Sequence, residues 1–273
     1  AAASIERILD PTPLVGEQTL MLLRTFAANV CISSAIFLRH ALPEVPKHIS
    51  KSEGSSRSTK SSIAPGTVTR ELGKKLADTL ALLSGHTETH LRVDDARLVR
   101  PLLVRFALET QTSKKPLFVL LPIQEHAMAL AVYLRTQGIP AISILPTDAK
   151  IKTYELWRAF EKQQALVIIG TRGALFFPMS KGGRYVLIDE TAEEWKQSEI
   201  NPRLDARLLL PILAEHFGAS LLTITPQYAI ASGSSEHQVD ARIHPAQPTT
   251  ITTIPTGTLF SQSLVEAMEG KQK

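Results

Sequence analysis

The sequence predicts an α/β fold in which a parallel β-sheet is covered by helices on both faces. Three observations support this prediction. From residue 67 onward, short apolar runs alternate with segments of helical periodicity. The runs are apolar throughout, which is typical of strands buried on both faces of a sheet. With 273 residues, 44% of them hydrophobic, the chain is long enough to build such a core.

The amino-terminal segment, residues 1–45, is predicted to be helical. Apolar residues recur at helical spacing until Pro43 ends the pattern. Because two short helices cannot bury a core alone, we expect them to lean on another part of the chain. Residues 46–66 follow as a predicted flexible linker, since the stretch 51–62 is Ser-rich and has no large apolar side chain. A DNA-binding tail is the alternative interpretation of this stretch.

The third segment, residues 67–231, carries the alternation of helices and strands. Helical patterns lie at 67–83, 93–109, 127–134, 156–160 and 204–217, the last with a bend expected at Pro211. Strands are predicted at 117–121, 141–145, 166–169, 185–188 and 220–223. The final segment, 232–273, is polar and rich in Pro and Thr, with an edge strand predicted at 250–254 and a helix at 259–268.

Charge and cysteine content exclude several classes of protein. Cys31 is the single cysteine, so a disulfide framework and a four-thiolate zinc site are ruled out and a cytoplasmic location is expected. We interpret it as a buried structural thiol. No apolar run approaches the roughly 20 residues of a membrane span, so no membrane partner is expected. The net charge of +4 permits contact with nucleic acid without requiring it.

Candidate chemistry follows the predicted strands, because ligands of doubly wound sheets bind at the carboxyl ends of the strands. Three segments are predicted to lie there, namely 82–92, 170–172 and the pair Asp189–Glu190. An apolar strand that ends in Asp-Glu is a Walker B pattern, in which the Asp holds magnesium and the Glu activates water. The alternative is an acidic helix start stabilised by the helix dipole. The histidines within 82–92 lack zincin spacing, so no metal site is predicted.

Four stretches, in the same order, resemble the primosomal protein N′ (PriA) family of replication-restart helicases. The most specific is VIIGTRGALFFP at 167–178, which is similar to the family's VIGTRSALFxP segment; the others lie at 8–14 with 30–43, at 186–190 with 195–197, and at 203–207 with 218–226. The resemblance implies that 67–231 is a RecA-like helicase motor lobe, the first of two. It also implies that 1–45 is a remnant of the family's amino-terminal DNA-binding region.

The chain departs from the family at the phosphate loop, which the resemblance places between the first strand and its helix. The aligned segment reads GHTETH at 85–90, where Gly85, Thr87 and Thr89 are the candidate nucleotide-binding residues. The family's loop lysine is absent and Glu88 puts negative charge where phosphate would sit. We therefore expect Asp189 and Glu190 to be vestigial and no cofactor to be required, with Mg²⁺-ATP bound only if the degenerate site still works.

Other parts of the family pattern are also missing from the sequence. The winged-helix domain and the second lobe with its eight zinc-binding cysteines have no counterpart, so we expect a partial or degenerate member. The residues that the resemblance assigns to DNA binding are Gly170, Thr171, Arg172, Trp195, Lys196, Arg203 and Arg207. Two alternatives stay open: Thr171 and Arg172 cap the turn that follows them, and Trp195 packs beneath its loop instead of stacking on a base.

Three functions remain open at this stage. The favoured one is binding of single-stranded or forked DNA in replication or replication restart without ATPase activity, with primosome or replication proteins as partners. The second is an ATP-dependent helicase lobe that needs a second lobe. The third is a protein-interaction scaffold that binds neither DNA nor ATP. The missing lysine favours the first over the second.

Overall fold

The structure, a computed structural model, describes residues 15–29, 32–42, 70–83, 86–93, 96–145, 148, 153–157, 167–177, 182–196, 204–226 and 238–241. The predicted linker, the edge strand at 250–254 and the helix at 259–268 lie outside these residues. So do Cys31, Gly85 and Arg203.

Seven strands form one sheet in the order β3-β4-β2-β5-β6-β1-β7. Their bounds are β1 Glu88–Val93, β2 Leu117–Leu120, β3 Ala141–Ile144, β4 Val167–Gly170, β5 Arg184–Ile188, β6 Ser220–Thr225 and β7 Gln238–Ala241. Every neighbouring pair in this sheet is parallel. All seven strands therefore end at the same side of the sheet, which we call the carboxyl edge; the opposite side is the amino edge.

In the described part of the chain, six helices longer than one turn or two flank the sheet. They are α1 Glu17–Asn29, α2 Ser34–Ala41, α3 Arg70–Leu83, α4 Ala96–Ser113, α5 Gln124–Thr136 and α6 Ala206–Phe217. Residues 153–157 are also helical, and two short 3₁₀ turns follow β4 and β5, at Arg172–Phe176 and Glu193–Trp195. Helix α6 begins at the N-cap Asp205, whose side chain accepts a hydrogen bond from the Arg207 amide at 3.0 Å. It ends at Gly218, which takes a left-handed φ of +57°.

The helices cover both faces of the sheet because successive strand residues point to opposite sides. In β2, Phe118 and Leu120 face a core formed with α1, α2 and α6. Leu117 and Val119 face a second core formed with α4 and α5. The predicted α/β class, with a parallel sheet and helices on both faces, is confirmed, and the architecture is consistent with a RecA-like lobe.

Two strands escaped the sequence analysis. Strand β1 reads ETHLRV, so only Leu91 and Val93 carry the apolar signal on one face while polar residues alternate on the other. Strand β7 reads QVDA and is likewise not an apolar run. The expectation that segment 82–92 lies at the carboxyl edge was therefore wrong, because most of it is the last turn of α3 and β1 itself.

Helices α1 and α2 pack on the sheet as the amino-terminal pattern requires. Phe37 is fully buried and meets the ring of Phe176 edge-on, with centroids 5.8 Å apart. Phe26 lies 5.6 Å from Phe37 and shares the same core. These two helices therefore belong to the same compact unit as the sheet.

Candidate functional site at the carboxyl edge

The acidic pair and the Gly-Thr-Arg segment meet at the carboxyl edge. Asp189 and Glu190 follow β5, while Thr171 and Arg172 follow β4. Strand β2 alone separates these two strands in the sheet. The sequence prediction that both segments share this edge is correct.

Asp189 anchors the loop that follows β5. Its φ is +57°, a left-handed conformation that Asp tolerates better than most residues. Its amide donates to the Ile224 carbonyl at 2.7 Å, which extends the pairing of β5 and β6 by one residue. Its carboxylate accepts a 2.7 Å hydrogen bond from the Thr191 hydroxyl, so one of its oxygens is engaged inside the loop.

Glu190 turns inward rather than toward the open edge. Its side chain is only 7% exposed, and its Oε2 lies 3.4 Å from Nδ1 of His90 on β1. On the other side of the ring, His90 Nε2 lies 3.4 Å from Oε1 of the half-exposed Glu88. Nδ1 does not meet hydrogen-bond geometry with any described residue, but at 3.4 Å the Glu190 carboxylate still stabilises a proton on the ring. A buried imidazole is thus held between two carboxylates.

This arrangement changes the acidity of the imidazole. The pKa of His90 is raised above its ordinary value, chiefly by its interaction with the Glu190 carboxylate and further by Glu88. Burial acts in the opposite direction, because it disfavours the charged ring, but it does not cancel the carboxylates. His90 is the residue of this site that the sequence analysis missed; the signal was the polar alternation of β1.

Trp195 is fully buried, so the expectation that it stacks on a DNA base from an exposed position was wrong. Its Nε1 donates a 2.7 Å hydrogen bond to the Asp189 carbonyl, and the ring belongs to the core under α1, α2 and α6. The alternative interpretation, that Trp195 packs beneath its loop, is correct. The indole ties the end of the loop back to its beginning.

Arg172 is partly exposed and lies over the same loop. Its Nη1 donates to the Glu194 carbonyl at 3.0 Å, a contact that positions the guanidinium without neutralising it. Thr171 is buried and its carbonyl accepts from the Ala174 amide at 2.9 Å, which starts the 3₁₀ turn. The backbone of Thr171 therefore caps the turn, in agreement with the alternative interpretation of this segment.

Gly170 has a packing role of its own. A Cβ at this position would lie 2.6 Å from the Ala174 Cβ and 2.8 Å from the Ile144 carbonyl oxygen. Both distances are too short for any side chain, so the first residue of the Gly-Thr-Arg segment lets β3, β4 and the 3₁₀ turn approach one another.

Arg207 is partly exposed, but its guanidinium is fully engaged by neighbouring groups. Its Nη2 and Nε bind the two oxygens of Asp205 at 2.6 and 2.8 Å, and its Nη1 donates to the Glu190 carbonyl at 3.0 Å. The Asp205 carboxylate is partly buried, yet its hydrogen bonds and charge interaction with Arg207 keep its pKa below the ordinary value. Arg207 thus holds the backbone of Glu190 in place. Lys196, at the same edge, is exposed.

Thr87 and Thr89, the candidate nucleotide-binding residues that the structure describes, do not lie in a loop that joins a strand to the helix after it. Thr87 precedes β1 and Thr89 lies within it, buried, so both are nearer the amino edge than the acidic pair. The placement of the phosphate loop at 85–90 was therefore wrong. The connection that does follow β1 consists of Asp94 and Asp95, between Val93 and the start of α4 at Ala96.

Among the described residues, no group of three or more His, Cys, Asp or Glu side chains is arranged to hold a metal ion. No helix in this part of the chain is long and apolar enough to cross a bilayer.

Comparisons with known proteins find similarity to solved structures but none in sequence. No protein-family profile matches the chain. No curated protein matches it in sequence. A solved structure, the C-terminal domain of a possible DNA helicase from Lactobacillus plantarum WCFS1, aligns at a TM-score of 0.34 with 9% identity, over 63% of this chain and 96% of that one.

Proposed function

We propose that this chain is a PriA-like DNA-binding protein that acts in DNA replication or replication restart without turning over ATP. The observation that carries the loss of ATPase activity is the position of Glu190. A general base must come within about 3.2 Å of the water it activates, directly or through one further water. The Glu190 carboxylate is instead buried against His90, with its backbone carbonyl held by Arg207.

The connection between β1 and α4 supports the same conclusion. In a phosphate-binding loop, backbone N–H groups at a helix start and a lysine surround the anion. In the sequence, the two residues between β1 and α4 are Asp94 and Asp95, so this connection has no lysine and is acidic in composition. Acidic residues in place of a lysine disfavour binding of a triphosphate.

Binding of DNA rests on two cations at the carboxyl edge. Arg172 and Lys196 have no carboxylate oxygen within ion-pair distance among the described residues, and the Glu194 carbonyl pre-orients the guanidinium. A positioned guanidinium and a nearby ammonium suit contact with a phosphate backbone. We assign them to single-stranded or forked DNA, with replication proteins as partners and a cytoplasmic location.

The DNA half is tested by fluorescence anisotropy with labelled single-stranded and forked oligonucleotides over a range of salt concentrations. We expect Arg172→Ala and Lys196→Ala each to weaken binding and to reduce the slope of log K against log salt by about 1. Lys115→Ala, at the amino edge, is the charge-matched control and should bind as the wild type does. No binding at low salt would contradict this half of the proposal.

The ATPase half is tested by titration with Mg²⁺-ATP, alone and with single-stranded DNA. We expect no saturable binding in either case. Tight binding, or turnover abolished by Glu190→Gln, would instead identify an active motor lobe that needs a second lobe.

A protein-interaction scaffold is the second candidate, and a specific observation favours it. Two of the residues assigned to DNA are engaged within the protein: Trp195 is buried, and the partly exposed Arg207 is held by Asp205. If the anisotropy series shows no binding while the protein is folded, this candidate replaces the first.

A further inference from the structure

A cleft of about 1070 Å³ opens at the amino edge, opposite the candidate site. It lies at the starts of β1, β2, β5 and β6 and is bounded by the carboxyl-terminal ends of α4 and α6. Its volume is at the upper end of the range for small-molecule sites. Ligands of parallel sheets ordinarily bind at the other edge, so this cleft is not explained by the sheet topology.

Arg184, the first residue of β5, is the most constrained cation of the cleft. Its guanidinium carbon lies 4.2 Å from the centroid of the Phe106 ring. Its Nε donates to the Ser220 hydroxyl at 3.2 Å and its Nη1 contacts Glu109 Oε2 at 3.4 Å. These contacts fix the plane of the guanidinium, while Nη2 makes no hydrogen bond within the described residues.

The charge of Arg184 is only partly compensated. The contact with Glu109 is longer than the 2.7–2.9 Å of a strong charge-assisted hydrogen bond. Glu109 is also shared with Arg105, whose Nε lies 3.5 Å from its other oxygen. Burial of the guanidinium lowers the pKa of Arg184, although it stays protonated at any ordinary pH. A second anion beside Nη2 would therefore be stabilised.

Lys115, in the segment just before β2, supplies a second cation. The Arg184 amide donates to the Pro116 carbonyl at 2.9 Å, which places the residue before Pro116 beside the start of β5. The lysine stem lies beside Gly182: a Cβ at that glycine would be in ordinary contact with the Lys115 Cε, at 3.5 Å. Lys115 has no ion pair within the described part of the chain.

We propose that this cleft binds a small organic anion, a single carboxylate or phosphate group carried on an apolar body. The anionic group lies against Arg184 Nη2 and Lys115, and the body lies against Pro211 and Ile212, which are partly exposed apolar residues of the lining. Glu88 and Glu215 also line the cleft, which disfavours a polyanion such as ATP or DNA. The site is therefore distinct from the one proposed for DNA.

Isothermal titration with four small probes tests the assignment. Benzoate and phenyl phosphate carry the two anionic groups on one apolar ring, whereas benzamide and benzylamine carry a neutral and a cationic group on the same ring. We expect saturable binding of at least one anion, about tenfold or more tighter than that of benzamide. The tighter of the two anions identifies the headgroup. Absence of binding by both anions, equal binding by benzamide, or tighter binding by benzylamine would overturn the proposal.

Three variants locate the site. Arg184→Gln and Lys115→Gln should each weaken binding of the preferred anion by about tenfold. Lys114→Gln removes the same charge from the adjacent residue, which does not line the cleft, and should leave binding unchanged. If Arg184→Gln does not fold, the test rests on Lys115→Gln. If Lys115→Gln binds the anion as tightly as Lys114→Gln does, the proposal is contradicted. DNA binding should be the same in all folded variants, which separates this site from the carboxyl edge.

Discussion

At the scale of single residues, His90 is the group at the carboxyl edge that makes the stability of the fold depend on pH. Its folded-state pKa is raised, mainly by Glu190, above the ordinary value of 6.5. A group whose pKa is raised by folding stabilises the folded state most while it is protonated in both states. The contribution is therefore complete below about pH 6.5 and is lost as the pH rises through the folded-state pKa.

Glu190→Gln tests this linkage. The variant should be less stable than the wild type by about 1 kcal/mol near pH 6, because protonated His90 loses its principal carboxylate. The difference should shrink as the pH rises through the folded-state pKa of His90, because the ring is then neutral in both proteins. Urea unfolding followed by tryptophan fluorescence at several pH values measures it. Glu193→Gln, an exposed change on the same loop, should show no such trend; a Glu190→Gln difference that is constant with pH would contradict the linkage.

The same residues show how far a sequence can define a site. The pattern placed Asp189 and Glu190 correctly after a buried strand. For Trp195 the pattern left two interpretations. The structure decides between them by the hydrogen bond from the indole to the Asp189 carbonyl, which depends on the left-handed backbone of Asp189. Apolar periodicity does not reveal a non-Gly residue with positive φ. The pairing of His90 with Glu190 joins residues 100 apart in number across β6, and no local spacing encodes it.

At the scale of elements, the apolar strands were predictable and the polar ones were not. Strands β2 and β4 are buried along their whole length, so both of their faces are apolar and the run stands out. Strand β1 is covered by apolar side chains on one face only, because His90 and its neighbours occupy the other. Because β1 was not predicted as a strand, the phosphate loop was predicted at 85–90, at the start of β1, instead of after its end.

At the junction between β4 and the 3₁₀ turn, we expect stability to depend on the absence of a side chain at Gly170. Gly170→Ala should cost about 1–3 kcal/mol of unfolding free energy, because the new methyl group overlaps Ala174 and the Ile144 carbonyl. Gly173→Ala, three residues on in the same turn, meets no atom within 4 Å and should change stability by no more than about 0.5 kcal/mol. Chemical denaturation of the two variants makes the comparison; equal stability would mean that the close approach at Gly170 is not required.

At the scale of the whole molecule, the amino-terminal helices and the sheet share one core. The polar stretch between residues 1–45 and 67–231 led to the prediction that they form different units. The sequence pattern also predicted that the helices need a partner surface, and that surface is the face of the sheet shared with α6. Apolar periodicity thus indicated the need for burial, while the partner was set by the fold.

Phe37→Ala tests the shared core. The ring is fully buried between Phe26 and Phe176, so its removal should cost about 3–5 kcal/mol. Because one core is involved, we expect a single cooperative transition at lower denaturant, with reduced hydrogen-exchange protection in β2 and β5 as well as α2. Loss of protection confined to α1 and α2 would show that the helices unfold independently of the sheet.

The buried position of Glu190 also has a consequence for genetics. In an active motor, replacing this acid would leave a normal amount of an inert protein. Here the same replacement removes a contact inside the fold, so a cell carrying it would hold less of the protein. A mutant phenotype at this position should therefore be read together with protein abundance, since a drop in abundance points to lost folding and an unchanged level to lost chemistry.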